Sequence, residues 1–172
     1  MAFAVQDNTG EVMDANAYID VAFFKAYHTD RNVEAVVNGE YSDTQIQAGI
    51  IAATDYIDNR WRHKGTKLLS AQTTEYPREE LYDRGGNLVE GLALKLKQAT
   101  AEYALRAIVA RLAPDPVTDE RGLRVASKTE KVGPLEESTA YVQGASILRF
   151  KSYPAADMLL RDFVDNARRV IR

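Results

Sequence analysis

The chain has no cysteine, two histidines and a single tryptophan among its 172 residues. Without cysteine it can form no disulfide, thiolate metal site or thiol nucleophile, which fits an origin in a reducing compartment. His28 and His63 stand alone, with no second His or any Cys at ligand spacing, so zinc binding has no ligand set. Each reads as a surface or capping histidine. There is no Gly-rich loop ending in Lys and Ser or Thr, and Arg84-Gly85-Gly86-Asn87 has turn chemistry instead. No serine sits in a glycine-flanked elbow with a histidine partner. No apolar run reaches the length that spans a bilayer, and the first residues lack a basic stretch followed by a hydrophobic one. The expectation is a soluble, intracellular protein with no membrane contact.

What is present suffices for one globular domain, or a domain with an arm, that folds without staples. Net charge is only −3, but it is unevenly spread. Residues 1–60 hold ten acidic and three basic residues, a net of −7, which leaves +4 on the remaining 112. Surfaces of opposite sign suit head-to-tail packing of identical subunits or a charged partner, and they equally suit two solvated faces.

Hydrophobic spacing predicts a mainly α protein: a small helical bundle with a β-hairpin or extended arm and a C-terminal helix. Residues 1–18 read as an N-terminal arm or edge strand, with Asn8-Thr9-Gly10 as a turn. A bundle core over 19–113 follows. Asp20 caps a short first helix that Asn32 ends. Ser42 and Gln45 form a capping box, and Ile46, Ile50, Ala53, Ile57 and Trp61 continue one face of a helix over about 43–63. Residues 64–87 make a long connection of the kind that is usually functional or mobile. Asn87 with Glu90 would cap the next helix, whose stripe of Leu92, Leu96, Ala99, Tyr103, Ala107 and Leu112 runs to Pro114. The period changes to two from Leu123, and residues 114–152 read as a hairpin turning at Gly133-Pro134. Pro154 suits the first turn of a last helix within 153–172.

Two clusters could carry chemistry. Glu79, Glu80 and Asp83 could serve as acid and base or hold a divalent cation, yet three carboxylates beside Arg78 and Arg84 read better as a solvated loop. Arg60, Trp61, Arg62, Lys64, Lys67, Tyr76 and Arg78 interleave bases and aromatics, as single-strand binders do. Against that reading, Trp61 continues the stripe of Ile50 and Ile57 and is expected in the core.

The series Trp61-Arg62, Gly65, Gln72, Pro77-Arg78 resembles a tailed-bacteriophage family of head-tail connector adaptors, or head-completion proteins. Its members are sometimes labelled DnaT-like single-stranded-DNA-binding proteins. Ala15-Asn16-Ala17-Tyr18, Ala99-Thr100-Ala101-Glu102, Lys131-Val132-Gly133-Pro134-Leu135 and Tyr153-Pro154-Ala155-Ala156-Asp157-Met158-Leu159-Leu160 extend the resemblance over nearly the whole chain. Leu92-Ala93 departs from the Ile-Pro step that often opens the family's third helix. The resemblance implies a structural, non-enzymatic protein without cofactor, catalytic or metal site, made in the bacterial host cytoplasm and placed in the virion. It implies a homo-oligomeric, dodecameric ring between the portal protein and a stopper, tail or tail-hub protein. Double-stranded DNA would pass through the lumen without specific binding. On this reading the C-terminal segment with Tyr153, Leu160, Phe163 and Arg168 reaches the portal, while Arg62, Tyr76, Arg78 and Lys131 meet neighbouring subunits or the tail side. The other label points to a single-stranded-DNA-binding replication accessory.

Overall fold

Ser42 and Gln45 close the reciprocal cap read from the sequence: Ser42 Oγ accepts from the Gln45 N–H at 3.3 Å, and Gln45 Oε1 accepts from the Ser42 N–H at 2.9 Å. In the computed structural model this cap opens the longest helix, and the residues described are 2–115, 125–131, 136–141 and 151–165. Among them the elements are α1 (Val21–Thr29), α2 (Glu34–Val37), α3 (Asp43–Arg60), β1 (Thr66–Lys67), β2 (Arg78–Glu79), α4 (Leu94–Val109), β3 (Val125–Lys131), β4 (Glu136–Tyr141) and α5 (Pro154–Leu160). The fold is mainly α, with a hairpin and a C-terminal helix, as the spacing predicts. No described helix is long and apolar enough to cross a membrane.

The chain divides into two compact units, the helical bundle and the stretch Ala113–Phe150 that carries β3 and β4. In the second unit the two strands pair antiparallel, with Thr129 opposite Ser138 and Lys131 opposite Glu136, and a bulge lies between Val125 and Ser127. The expected Gly133-Pro134 turn lies outside the described residues.

In the bundle α3 and α4 pack side by side. Ile46, Ile50 and Ile57 of α3 meet Leu96, Ala99 and Tyr103 of α4, joined by Phe24 of α1 and Leu160 of α5, all of them essentially inaccessible to solvent. Gly49 allows the close approach: a Cβ there would lie 2.6 Å from Ile108 Cγ1 and 2.9 Å from the Ala104 carbonyl oxygen. Asp20 caps α1 as expected, its carboxylate accepting from the Phe23 N–H at 2.7 Å.

Several boundaries differ from the sequence reading. Helix α3 stops at Arg60 rather than near residue 63, because Trp61 takes an extended conformation (φ −105°, ψ 150°). Helix α4 starts only at Leu94, with Ala93 at its N-cap and no side-chain cap. Asn87 is engaged elsewhere, its N–H donating to Asp83 Oδ1 at 2.9 Å in a tight turn. Residues 2–18 are fastened to the bundle: Gln6 Nε2 donates to Thr74 Oγ1 at 3.0 Å, Asn8 Oδ1 accepts from the Leu92 N–H at 3.0 Å, and Ala15, Ala17 and Tyr18 are buried. Their regular pairing is one isolated bridge, Val5 with Ala17.

Both histidines are also placed differently from the surface or capping roles expected of them. His28 is 1% exposed, and its Nε2–H donates to the Ala101 carbonyl at 3.0 Å. A carbonyl can only accept, so this nitrogen carries the proton. His63 is half-buried, bridged through its backbone to Val164, with Nδ1 3.0 Å from the Tyr76 hydroxyl. Burial holds both below the usual histidine range.

Candidate functional site

The basic and aromatic residues from 60 to 78 gather where α3 ends, because the extended Trp61 and the turn at Gly65 send the chain back along its own loop. Gly65 has φ +70°, and a Cβ there would overlap the Glu79 carbonyl oxygen of β2. The 64–87 connection is thus packed rather than loose. Gln72, 3% exposed, organises it: its Oε1 accepts from the Leu69 N–H at 3.1 Å and its Nε2 donates to the carbonyls of Thr74 and Pro77 at 2.9 and 3.0 Å.

Most of the cationic groups in this patch are spent on the protein itself. The Arg78 side chain, 9% exposed, donates to the carbonyls of Lys64 (2.7 Å), Gly65 (2.8 Å) and Glu75 (3.1 Å) and pairs with Glu75 Oε2 at 2.6 Å. Lys67 pairs with Glu75 at 3.1 Å, and Lys64 Nζ donates to the Asp162 carbonyl at 3.0 Å. Tyr76 is fully buried, its N–H donating to the Tyr18 hydroxyl oxygen at 3.1 Å. The Tyr18 hydroxyl in turn donates to Asp58 Oδ1, and Asp58 Oδ2 accepts from the Glu75 N–H at 3.1 Å. Burial is the main cause that pushes the Asp58 carboxyl up to about 7; the two hydrogen bonds and Lys67 oppose it, and Glu75 adds to it.

Trp61 packs against the core, with the Arg60 guanidinium 4.3 Å from its ring centroid. Core packing is therefore the better account of this residue, as its place in the apolar stripe predicts. Trp61→Ala should lower stability by about 1–3 kcal/mol, less than for a fully buried Trp, in chemical denaturation. Arg62→Ala, at a side chain 72% exposed and 3.7 Å from Asp165, should change it by under about 0.5 kcal/mol.

The last helix is held at the same end of α3. Asp157 accepts from the Tyr103 hydroxyl and from the Tyr153 N–H (3.1 Å), and it pairs with Arg60 at 3.2 Å, the two side chains 17% and 11% exposed. Arg60 also donates to the Tyr56 hydroxyl at 2.6 Å. The rings of Tyr56, Tyr103 and Tyr153 stand edge to face with centroids 5.2–6.0 Å apart. The sequence pattern assigns no role to Asp157, Gln72 or Asp58, although Gln72 and Asp157 stand within the motif series and Asp157 lies in the first turn behind Pro154.

A family model described as "Putative DnaT-like ssDNA binding protein" matches residues 1–172. The chain belongs to this family. Comparisons with characterised proteins and with solved structures give no match. The family description agrees with the second label in the sequence resemblance and says nothing of a head-tail connector.

In this family member, the residues expected at partner contacts stand in different surroundings. Arg62 is exposed, whereas Tyr76 and Arg78 are built into the loop. Tyr153, Leu160 and Phe163 are 7%, 0% and 2% exposed and belong to the bundle core, so their side chains hold the last helix on rather than offering it to a partner. Removing the residues after Tyr153 would take Ala156, Leu160 and Phe163 out of that core. Lys131 sits opposite Glu136 in the hairpin, and Arg168 lies outside the described residues. Glu79 and Glu80 are exposed, while both oxygens of Asp83 accept from the Asn87 amide at 3.2 and 3.1 Å. Among the described residues no three His, Cys, Asp or Glu side chains are grouped to hold a metal ion.

Proposed function

We propose that the chain works by binding rather than turnover, as a structural adaptor of a phage head-tail connector that assembles in a ring between the portal and the next tail component. The observation that favours this reading over base stacking is the internal use of the basic and aromatic patch. Arg78, Lys67, Lys64, Tyr76 and Trp61 close a loop on the bundle, which leaves few cations or rings of that patch for a nucleic-acid strand. The motif series along the whole chain supports it too, and the separate hairpin unit would offer the second surface that head-to-tail ring closure requires. Portal contact through the C-terminal segment would fall to its exposed positions, such as Met158 and Arg161, rather than to the buried side chains. The test is quantitative mass spectrometry of purified, nuclease-treated particles. A copy number equal to that of the portal is expected, and absence from particles with abundance in infected cells would overturn the reading.

A second reading, a single-stranded-DNA-binding replication accessory, is favoured by the family description. Its binding surface would have to lie away from Trp61 and Tyr76.

A further inference from the structure

At the end of the packed loop, residues 82–84 and the stretch after α5 border a groove of about 390 Å³, with Tyr82, Arg84, Arg161 and Lys64 on its walls. Three carboxylates also line it, and each is engaged. Asp162 pairs with Lys95 at 2.7 Å, Asp165 lies 3.7 Å from Arg62, and Asp83 accepts from the Asn87 amide and backbone N–H. Arg84 and Arg161 are exposed, and among the described residues neither guanidinium has a hydrogen-bond or ion-pair partner. Tyr82 is 53% exposed, an unusual position for a large ring, and it faces the same groove.

We propose that this groove binds the backbone of single-stranded nucleic acid, with Arg84 and Arg161 on phosphates and Tyr82 as a stacking face for a base. Guanidinium forks match phosphate oxygens, and a ring beside them accepts any base, which is the combination that single-strand binding without sequence preference requires. Asp162 and Asp165 each face a cation, so the charge left on Asp83 is outweighed by Arg84, Arg161 and Lys64 on the groove walls, and the local field that an incoming anion meets is positive. The turn that carries Tyr82 and Arg84 is closed by backbone hydrogen bonds: the Asp83 N–H donates to the Asn87 carbonyl at 2.9 Å and the Val89 N–H to the Leu81 carbonyl at 2.8 Å. Little ordering is then left to be done on binding. The assignment deepens the second reading above, does not depend on the connector, and uses neither Trp61 nor Tyr76.

The experiment is fluorescence anisotropy of a labelled oligo-dT with the full chain, titrated at several salt concentrations. Arg84→Gln with Arg161→Gln should weaken binding tenfold or more and reduce the salt slope by about 1.4, two contacts at about 0.7 each on a single strand. Tyr82→Ala should weaken it about 5- to 150-fold at every salt, and Tyr82→Phe should retain it. All three positions are exposed, so melting temperatures should be unchanged, which separates lost binding from lost fold. If the wild-type chain binds and the double variant binds equally well, the groove assignment fails while the family reading stands. If the wild-type chain does not bind, both fail. A double variant that changes only the sedimentation of the protein would also overturn the proposal and identify the groove as a contact between copies.

Discussion

Asp157→Ala should lower the melting temperature by roughly 6–20 °C, from a loss of about 3–5 kcal/mol when one partner of a buried pair is removed and a slope of about 2–4 °C per kcal/mol at this chain length. The size follows from what the carboxylate satisfies at once: the Arg60 guanidinium of α3, the Tyr103 hydroxyl of α4 and the Tyr153 N–H at the start of α5. Three elements meet on one side chain that is 17% exposed. Asp157→Asn keeps one oxygen for the Tyr153 N–H, puts an amide donor where the Tyr103 hydroxyl found its acceptor and leaves Arg60 without its carboxylate, and should lie between wild type and Ala. Combining Arg60→Ala with Asp157→Ala should cost at least about 1 kcal/mol less than the two separate losses together, since they share one interaction. Thermal melts with matched chemical denaturation provide the check. A loss under about 1 kcal/mol for Asp157→Ala would show that the pair does not hold α5 in place.

The second large effect is in pH. Asp58 keeps its proton up to about 7 in the folded chain, mainly because it is buried, whereas in the unfolded chain it ionises near 3.9. Between those values the native state binds more protons than the unfolded state, so its share of the stability is fully present below about pH 4 and is lost as pH rises to about 7. The span of about three units sets an upper limit of about 4 kcal/mol. Asp58→Asn should remove this slope, so that the difference in stability between variant and wild type shifts in favour of the variant as pH rises. Using that difference matters because His28 and His63, both lowered by burial, act with opposite sign and lose stability as pH falls through the histidine range. Parallel curves for the two proteins from pH 4 to pH 8 would contradict the assignment.

Local signals were read well from the sequence. Asp20, the Ser42 and Gln45 box and Pro154 each act through a neighbour within three residues, and each stands where the spacing put it. The stripes on α3 and α4 were equally legible, because helical periodicity records which face is buried. What was missed depends on partners distant in the chain. Nothing near His28 announces that the Ala101 carbonyl, 73 positions away, will accept its hydrogen bond. Arg78 looked like a free cation until the chain doubled back and set three carbonyls around it. Asn87 is a local exception: it has the spacing of a cap and loses that role to a competing bond with Asp83, four residues away. The groove at Tyr82 and Arg161 joins positions almost eighty residues apart, so no window of sequence could display it.

The hydroxyl of Tyr153 donates to the Leu112 carbonyl at 2.9 Å. That bond ties the point where the chain leaves the bundle to the point where it returns, so Ala113–Phe150 is in effect an insertion whose two ends are already joined. The entropy of bringing those ends together grows slowly with length, by about 0.6 kcal/mol per doubling. The bundle can therefore carry hairpins of very different size and sequence at this doorway, which allows one scaffold to be refitted for a new neighbour by changing the insertion alone.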